Sequence, residues 1–447
     1  MKKLLFILAL LLVFALTLTA CEQPSDNPPK SENESGNENQ NENGSGDSHT
    51  THSYLEDYKF DDDYHWLVCT GCDKTIAQSA HTFDDNGVCT VCKAPMPATE
   101  GVVYKVSADG TYAKVSGYTG TESKVKIAKE YEGLPVKEIS MWAFRDNSVI
   151  TTVIIPDSVT SIAHEAFYNC DSLTSVVIPD SVTSIGEFAF KDCNPSLYAN
   201  YEHGTYVGNG DNPYAVLIKI DDATLSTYQI HEDTKVIAGS VFKHCYQLTN
   251  IIIPDGVTGI GNSAFYDCHS LTSVVMSDNV ITIDSMAFYD CYSLTSIIIP
   301  DGVISIGAYA FFGCSDLTSL IIPDSVINIE ASAFSGCTGL TSIVIPDSVT
   351  SFATSAFGAC SGLTSIVIPD CVTSIDVLSF LACTSLTSIV IPDSVTSIGS
   401  SAFYMCDSLT DIYYTGTQEE WAQINIGDLN DALTNATIHY NYVQEEN

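Results

Sequence analysis

Between residues 135 and 410, apolar and polar positions recur with a step of 23 residues. The clearest marker is a phenylalanine, at Phe144, Phe167, Phe190, Phe242, Phe265, Phe288, Phe311, Phe334, Phe357, Phe380 and Phe403, with one interval of 52 that leaves room for an insertion. A clean copy occupies 338–360. Within it, 342–345 is short, β-branched and stopped by Pro346, which predicts one strand. Pro346, Asp347 and Ser348 are turn chemistry. Val349 and then Ala356 and Phe357 supply inward anchors through a second short segment and a helical turn. The strand is too short for a hairpin within the unit, so it pairs with its counterpart in the next copy and a parallel sheet results. A unit that cannot bury its own apolar face must stack on copies of itself, which predicts a solenoid.

Alternation along each strand sends the first and third aliphatics inward, as with Ile343 and Ile345, and the middle one outward. The outward column is Ile154, Val177, Ile252, Val275, Ile298, Ile321, Val344, Val367 and Val390. β-Branched neighbours stabilise strand pairing, and a contiguous apolar stripe marks an interaction surface; the two readings are compatible. Ile298, Ile321, Val344, Val367 and Val390 are therefore candidate partner contacts. Tyr201, Tyr206 and Tyr214, from a tyrosine-rich insertion at 194–230, join them because tyrosine offers rigid contact area with a polar tip. After the insertion the register resumes with His231 in the proline position.

Two further columns have structural readings. Cys170, Cys193, Cys245, Cys268, Cys291, Cys314, Cys337, Cys360, Cys383 and Cys406 are expected to be buried free thiols, small hydrophobes whose parallel Cβ vectors resist pairwise bridging. Asp157, Asp180, Asp255, Asp278, Asp301, Asp324, Asp347, Asp370 and Asp393 are expected to cap their turns, with bridging divalent cations as the alternative.

The recurring text, close to Cys-x-x-Leu-x-x-Ile-x-Ile-Pro-x-x-Val-x-x-Ile-x-x-x-Ala-Phe, resembles the BspA-like leucine-rich repeats of bacterial surface proteins over roughly 135–410. That resemblance implies a right-handed leucine-rich-repeat coil of 23-residue units with its parallel β-sheet on the concave side. It also implies attachment to host proteins or to other bacteria. Residues 98–134 are expected to form an N-terminal cap with antiparallel character, and 411–447 a C-terminal cap that resembles the closing segment of the same family.

Ahead of the array, residues 1–21 read as a lipoprotein signal peptide: Lys2 and Lys3, an apolar run, then Leu18-Thr19-Ala20-Cys21 as a lipobox with Cys21 the lipidated residue. Residues 22–48, almost wholly Asn, Glu, Ser, Gly, Asp, Gln and Pro, read as a disordered linker. Residues 49–97 read as a small zinc-ribbon-like module, with Cys69, Cys72, Cys89 and Cys92 as a four-thiolate structural Zn2+ site. His52, His65 and His81 lie close enough in sequence to substitute for a thiolate, and two disulfides are the alternative in an exported protein.

Charge narrows the partner. The chain carries 17 Lys and Arg against 55 Asp and Glu, a net of −38, and Lys243 is its last Lys or Arg. Phosphate neutralisation is thus missing from most of the array, which excludes nucleic acid and disfavours docking of the array on anionic membrane. A basic protein surface or a neutral glycan fits better. His164, His203, His231, His244 and His269 are scattered and suggest no catalytic constellation. The expectation is a non-enzymatic interaction protein, lipid-anchored on the outer face of a bacterial cell membrane. It would adhere to host or bacterial surface proteins or glycans through the concave face, as a monomer. A self-associating structural envelope protein is the alternative.

Overall fold

The computed structural model describes residues 58–60, 64–68, 75–84 and 86–443. The lipobox with Cys21, the linker at 22–48, and Cys69 and Cys72 lie outside the described residues.

Each unit forms one coil of a parallel β-solenoid with two ladders. In the clean copy the first strand is Ser342–Val344 and the second Ser351–Phe352. Neither strand is long enough to be stable alone, and each pairs in parallel with its equivalent one period away. Ser319, Leu320 and Ile321 lie opposite Ser342, Ile343 and Val344, and Asn328 and Ile329 opposite Ser351 and Phe352. The turn between the two strands is closed by the Val349 N–H donating to the Pro346 carbonyl at 3.0 Å.

The helical turn expected around Ala-Phe does not form. Residues two before and two after each marker phenylalanine take positive φ, as Ser355 at 59° and Ala359 at 55° do around Phe357. Such left-handed residues break a helix after every few positions. The Phe357 N–H leaves its own segment and donates to the Ser379 carbonyl of the next coil at 3.0 Å. The segment is therefore a string of turns hydrogen-bonded between coils.

The interior is one apolar cluster running from Ala113 to Leu433. Its spine is the phenylalanine column, stacked face to face in two runs. From Phe144 to Phe190 the centroid spacings are 4.9 and 5.2 Å, and the second run, Phe242 to Phe403, includes Phe311–Phe334 at 5.5 Å and Phe334–Phe357 at 5.7 Å. The ten thiols of the cysteine column are free and buried. Where the pattern holds, each thiol donates to the carbonyl of a phenylalanine in the preceding coil, as Cys337 does to Phe311 at 3.2 Å and Cys360 to Phe334 at 3.2 Å.

Both ends and the break are built from non-repeating pieces. Val102–Val106 runs antiparallel to Ala113–Tyr118, which in turn starts the second ladder by pairing in parallel with Leu134–Ile139. Lys124–Lys126 starts the first ladder beside Thr152–Ile154. The insertion folds as an antiparallel meander of Tyr198–Tyr201, Gly204–Val207 and Val216–Ile220. Its last strand pairs in parallel with Val236–Ile237 and restarts the second ladder, while Thr227–Gln229 restarts the first. The Thr234 N–H donates to the His231 carbonyl at 3.1 Å, so His231 does occupy the proline position of the turn.

At the far end Asp411–Tyr414, Asn425–Ile426 and Thr437–His439 add final rungs. Asn430 closes the column: its Oδ1 accepts from the Phe403 N–H at 2.9 Å, where a next-coil carbonyl would otherwise serve. Among the described residues no helix is long and apolar enough to cross a membrane.

Candidate functional site

The outward column of the first ladder is exposed through the middle of the array. Ile252, Val275, Ile298, Ile321 and Val344 are 66, 59, 83, 75 and 66 % exposed. Alternation causes this, since Ile343 and Ile345 on either side of Val344 are buried. Some polar neighbours are bonded to the coil behind, as Thr272 to the Thr249 carbonyl at 2.9 Å and Thr387 to that of Thr364 at 3.0 Å, while Ser319 and Ser342, on the same strand face as Ile321 and Val344, are exposed. The β-branched groups and the exposed strand-starting serines beside them form the contact surface.

The column fades at both ends. Val367 is 38 % exposed, and Val390 is half-buried, its strand neighbour Tyr413 being stacked on His439. At the start Ile154 is only 7 % exposed. Gly87 of the N-terminal module lies on it, so close that a Cβ there would meet Ile154 Cδ1 at 2.5 Å. The module loop is held in place by Lys124 Nζ, which donates to the Phe83 and Asp84 carbonyls at 3.0 and 2.9 Å. Lys126 Nζ donates to the Met96 carbonyl, and Asn86 Nδ2 to Asp211 Oδ2 of the insertion at 2.7 Å.

Burial divides the tyrosine trio. Tyr206 is fully buried, with its hydroxyl accepting from the His231 N–H at 3.2 Å, so it is core and not a contact residue. The meander turns one of its faces onto the apolar interior, and Tyr206 is on that face. Tyr201 and Tyr214 are half-buried and flank His231: Tyr214 stacks on its ring at 3.8 Å, and Tyr201 meets it edge-on at 4.7 Å. Tyr201, Tyr228, His231, Asn250, Ile252 and Pro254 line a half-open groove of about 680 Å3. The groove thus joins the insertion to Ile252, the first exposed member of the apolar column.

The aspartate column does not cap its turns. The nine carboxylates are exposed, and among the described residues their side chains accept no turn N–H and Asp180, paired with Lys235, is the one with a cationic partner. The turn serines do the bridging, as Ser348 donating to the Val326 carbonyl at 2.7 Å shows. An uncapped line of negative charge therefore borders the first ladder.

In the N-terminal module, Lys59–Phe60, Tyr64–Val68 and Thr75–Ala80 form an antiparallel sheet. Of the four cysteines expected to bind metal, Cys89 and Cys92 are described. They meet His65 and His81, the four donor atoms all lying within 4.8 Å of one another. Burial draws the Cys89 thiol upward, yet His81 and the N–H groups of Cys92 and Val91 bring it down to about 5, while burial pushes Cys92 up. Sequence spacing alone placed the histidines only nearby, because their approach depends on strand pairing: His65 lies directly opposite Ser79.

Among curated proteins none matches the chain. Of solved structures, a leucine rich cell surface protein from Faecalibacterium prausnitzii is 29% identical over 74% of this chain and 98% of its own, with a TM-score of 0.29. A leucine-rich repeat protein from Bacteroides ovatus is 24% identical over 77% of this chain and 99% of its own, with a TM-score of 0.34. The leucine rich repeat protein of T. pallidum is 20% identical over 60% of this chain and 90% of its own, with a TM-score of 0.23. The model of the BspA type leucine rich repeat region matches in six copies across 134–207, 221–337 and 305–424. With well over half of its length matched and the coil geometry to accompany it, this chain belongs to the BspA type leucine rich repeat family.

Proposed function

We propose that the chain is a lipid-anchored, cell-surface binding protein that adheres, without catalysis, to host or bacterial surface proteins or glycans. Recognition would use the exposed column of the first ladder, together with the groove at Tyr201 and His231. The observation that carries this reading is the run of five outward β-branched side chains, from Ile252 to Val344, each more than half exposed. Burying such a side chain fully is worth ~1.5–3 kcal/mol, so five partly exposed ones offer roughly 5–10 kcal/mol before ordering and desolvation costs. The aspartate line beside the column favours a partner with basic groups around an apolar ridge, and opposes an acidic one. Ile298 and Ile321 would sit at the centre of the contact, Val344 next to them, and Val367 and Val390 at its margin.

The test is binding of the Ile298→Asp, Ile321→Asp double variant to matrix proteins, mucins and bacterial cells. Both side chains are exposed, so the variant should keep its circular dichroism and melting behaviour while losing at least roughly tenfold in affinity. Unchanged binding by a folded variant removes the column from the site. If wild type instead forms oligomers at micromolar concentration and the variant is monomeric, the column serves self-association in an envelope structure.

A further inference from the structure

We propose that His65, His81, Cys89 and Cys92 bind one structural Zn2+ ion, a donor set of two imidazoles and two thiolates instead of the four thiolates that the CxxC spacing suggests.

Zinc in a tetrahedral site lies ~2.3 Å from sulfur and ~2.0–2.1 Å from nitrogen, which makes the edges between ligands roughly 3.3–3.8 Å. The observed edges approach this: Cys92 Sγ is 3.4 Å from His81 Nδ1, and Cys89 Sγ is 3.9 Å from His65 Nδ1. With no donor pair farther apart than 4.8 Å, about 1 Å of closure on the longest edge completes the tetrahedron. Two thiolates with two imidazoles suit a borderline-soft divalent ion of that geometry.

The outer contacts are those of a ligand set. Ser79 Oγ lies 2.9 Å from His65 Nε2, which holds the ring and turns Nδ1 towards Cys89. The Ala94 N–H donates to Cys92 Sγ at 3.4 Å, and the Lys93 N–H to the Cys89 carbonyl at 3.1 Å. Lys93 at φ 62° turns the chain tightly enough for both sulfurs to face one point. Cys89 and His65 are buried, and four protein donors leave no position for water, so the role is structural.

The ion would fix the loop that carries Gly87 and Met96, and through it the cover over Ile154. Metal binding and folding of this small sheet would then be one event. The ladder behind it has its own core, so the array would stay folded when the ion leaves.

X-ray absorption on the full chain, purified under reducing conditions and given one equivalent of zinc, reads the donor set without any mutation. Two sulfurs at ~2.3 Å and two nitrogens at ~2.0–2.1 Å are expected. Four sulfurs would overturn the proposal, as would failure to retain zinc. A Cys69→Ser, Cys72→Ser double variant should retain one zinc per chain, and its loss there counts against the proposal. His81→Ala and Cys92→Ser should each lose the zinc while the far-ultraviolet spectrum of the solenoid persists; retention of a full equivalent by both would also overturn it.

Discussion

Replacing Gly259 by alanine tests the way the two runs of coils are joined. Thr183, Ser184 and Ile185, at the end of the first run, lie across successive rungs of the restarted second ladder. The Ile185 carbonyl accepts from the Gly239 N–H at 2.7 Å, Ser184 Oγ donates to Asp284 Oδ2 at 2.6 Å, and the Thr183 and Thr282 hydroxyls are 3.1 Å apart. Gly259 sits between them, and a Cβ there would be 1.7 Å from the Thr183 carbonyl oxygen, 2.6 Å from its carbon and 2.9 Å from its Cα. Since real Cβ atoms essentially never come within 3.0 Å, the strands must part by at least 1.3 Å, the difference between 3.0 and 1.7. That carries the flanking pairs beyond hydrogen-bond range. Losing two neutral bonds at ~0.5–1.5 kcal/mol and one to a carboxylate at ~1.5–3 kcal/mol amounts to roughly 2.5–6 kcal/mol at the junction. Urea unfolding followed by circular dichroism should show a lower midpoint for Gly259→Ala, or a split into two transitions as the runs uncouple. Gly210→Ala is the control, because its Cβ would meet nothing within 4 Å. If the two variants unfold within about 0.5 kcal/mol of each other, the junction is not packed as described.

Burial pushes up the thiols of Cys291, Cys314, Cys337, Cys360 and Cys383, and those of Cys245 and Cys406 each to about 12 against an ordinary 9.0. The folded state holds these protons when the unfolded chain releases them, so stability is complete below pH 9 and falls between pH 9 and about 12. Melting temperatures measured from pH 7 to pH 10.5 should decline above 9, and a flat profile would contradict the burial. Alkylation in the folded state at pH 8 should label exposed Cys371 first and the ten column thiols only after denaturation. Asn430→Ala removes an acceptor for Phe403 N–H and donors to the Gly399 and Gly427 carbonyls at 2.9 and 2.8 Å. Three groups lose their partner at ~1–3 kcal/mol for each one left unsatisfied, so the last coil should fray, read as faster amide exchange confined to 399–440.

Phe357 and Cys360 were legible in the sequence because a constant period gives each internal copy the same environment: what one phenylalanine inside a run meets, its neighbours in that run meet. The period does not report backbone conformation, and the helical turn expected at Ala356-Phe357 failed for that reason. Ser355 and Ala359 adopt the left-handed region without being glycine, which only the hydrogen bonds between coils make tolerable. The aspartates misled in a related way. Asp347 has the residue type of a turn cap, but the Pro346 carbonyl and the Ser348 hydroxyl already complete the turn. Tyr206 was misassigned because the insertion has no copy to compare with, and its inward face is set by strands paired across the break. His65 and His81 converge on Cys89 and Cys92 through an antiparallel register that no local spacing encodes.

Each coil spends many of its polar groups on its neighbour, and what it leaves exposed is the same from coil to coil. Thiols reach phenylalanine carbonyls in the coil behind, threonine and serine hydroxyls do the same, and the phenylalanine amides reach the coil ahead. The repeat therefore supplies area, through Ile252 to Val344, and carboxylates and serine hydroxyls at regular spacing, a periodic surface and not a unique one. Groups without a repeated counterpart occur where repetition stops: His231 between Tyr201 and Tyr214, and the module loop tied to Asp211 through Asn86. Of these, Tyr201 and His231 share a groove with Ile252, the first exposed isoleucine of the column. Specificity and affinity are thus assigned to different parts of one surface. A change at Tyr201 or His231 should alter which partner is preferred, whereas a change at Ile298 or Ile321 should weaken every partner alike.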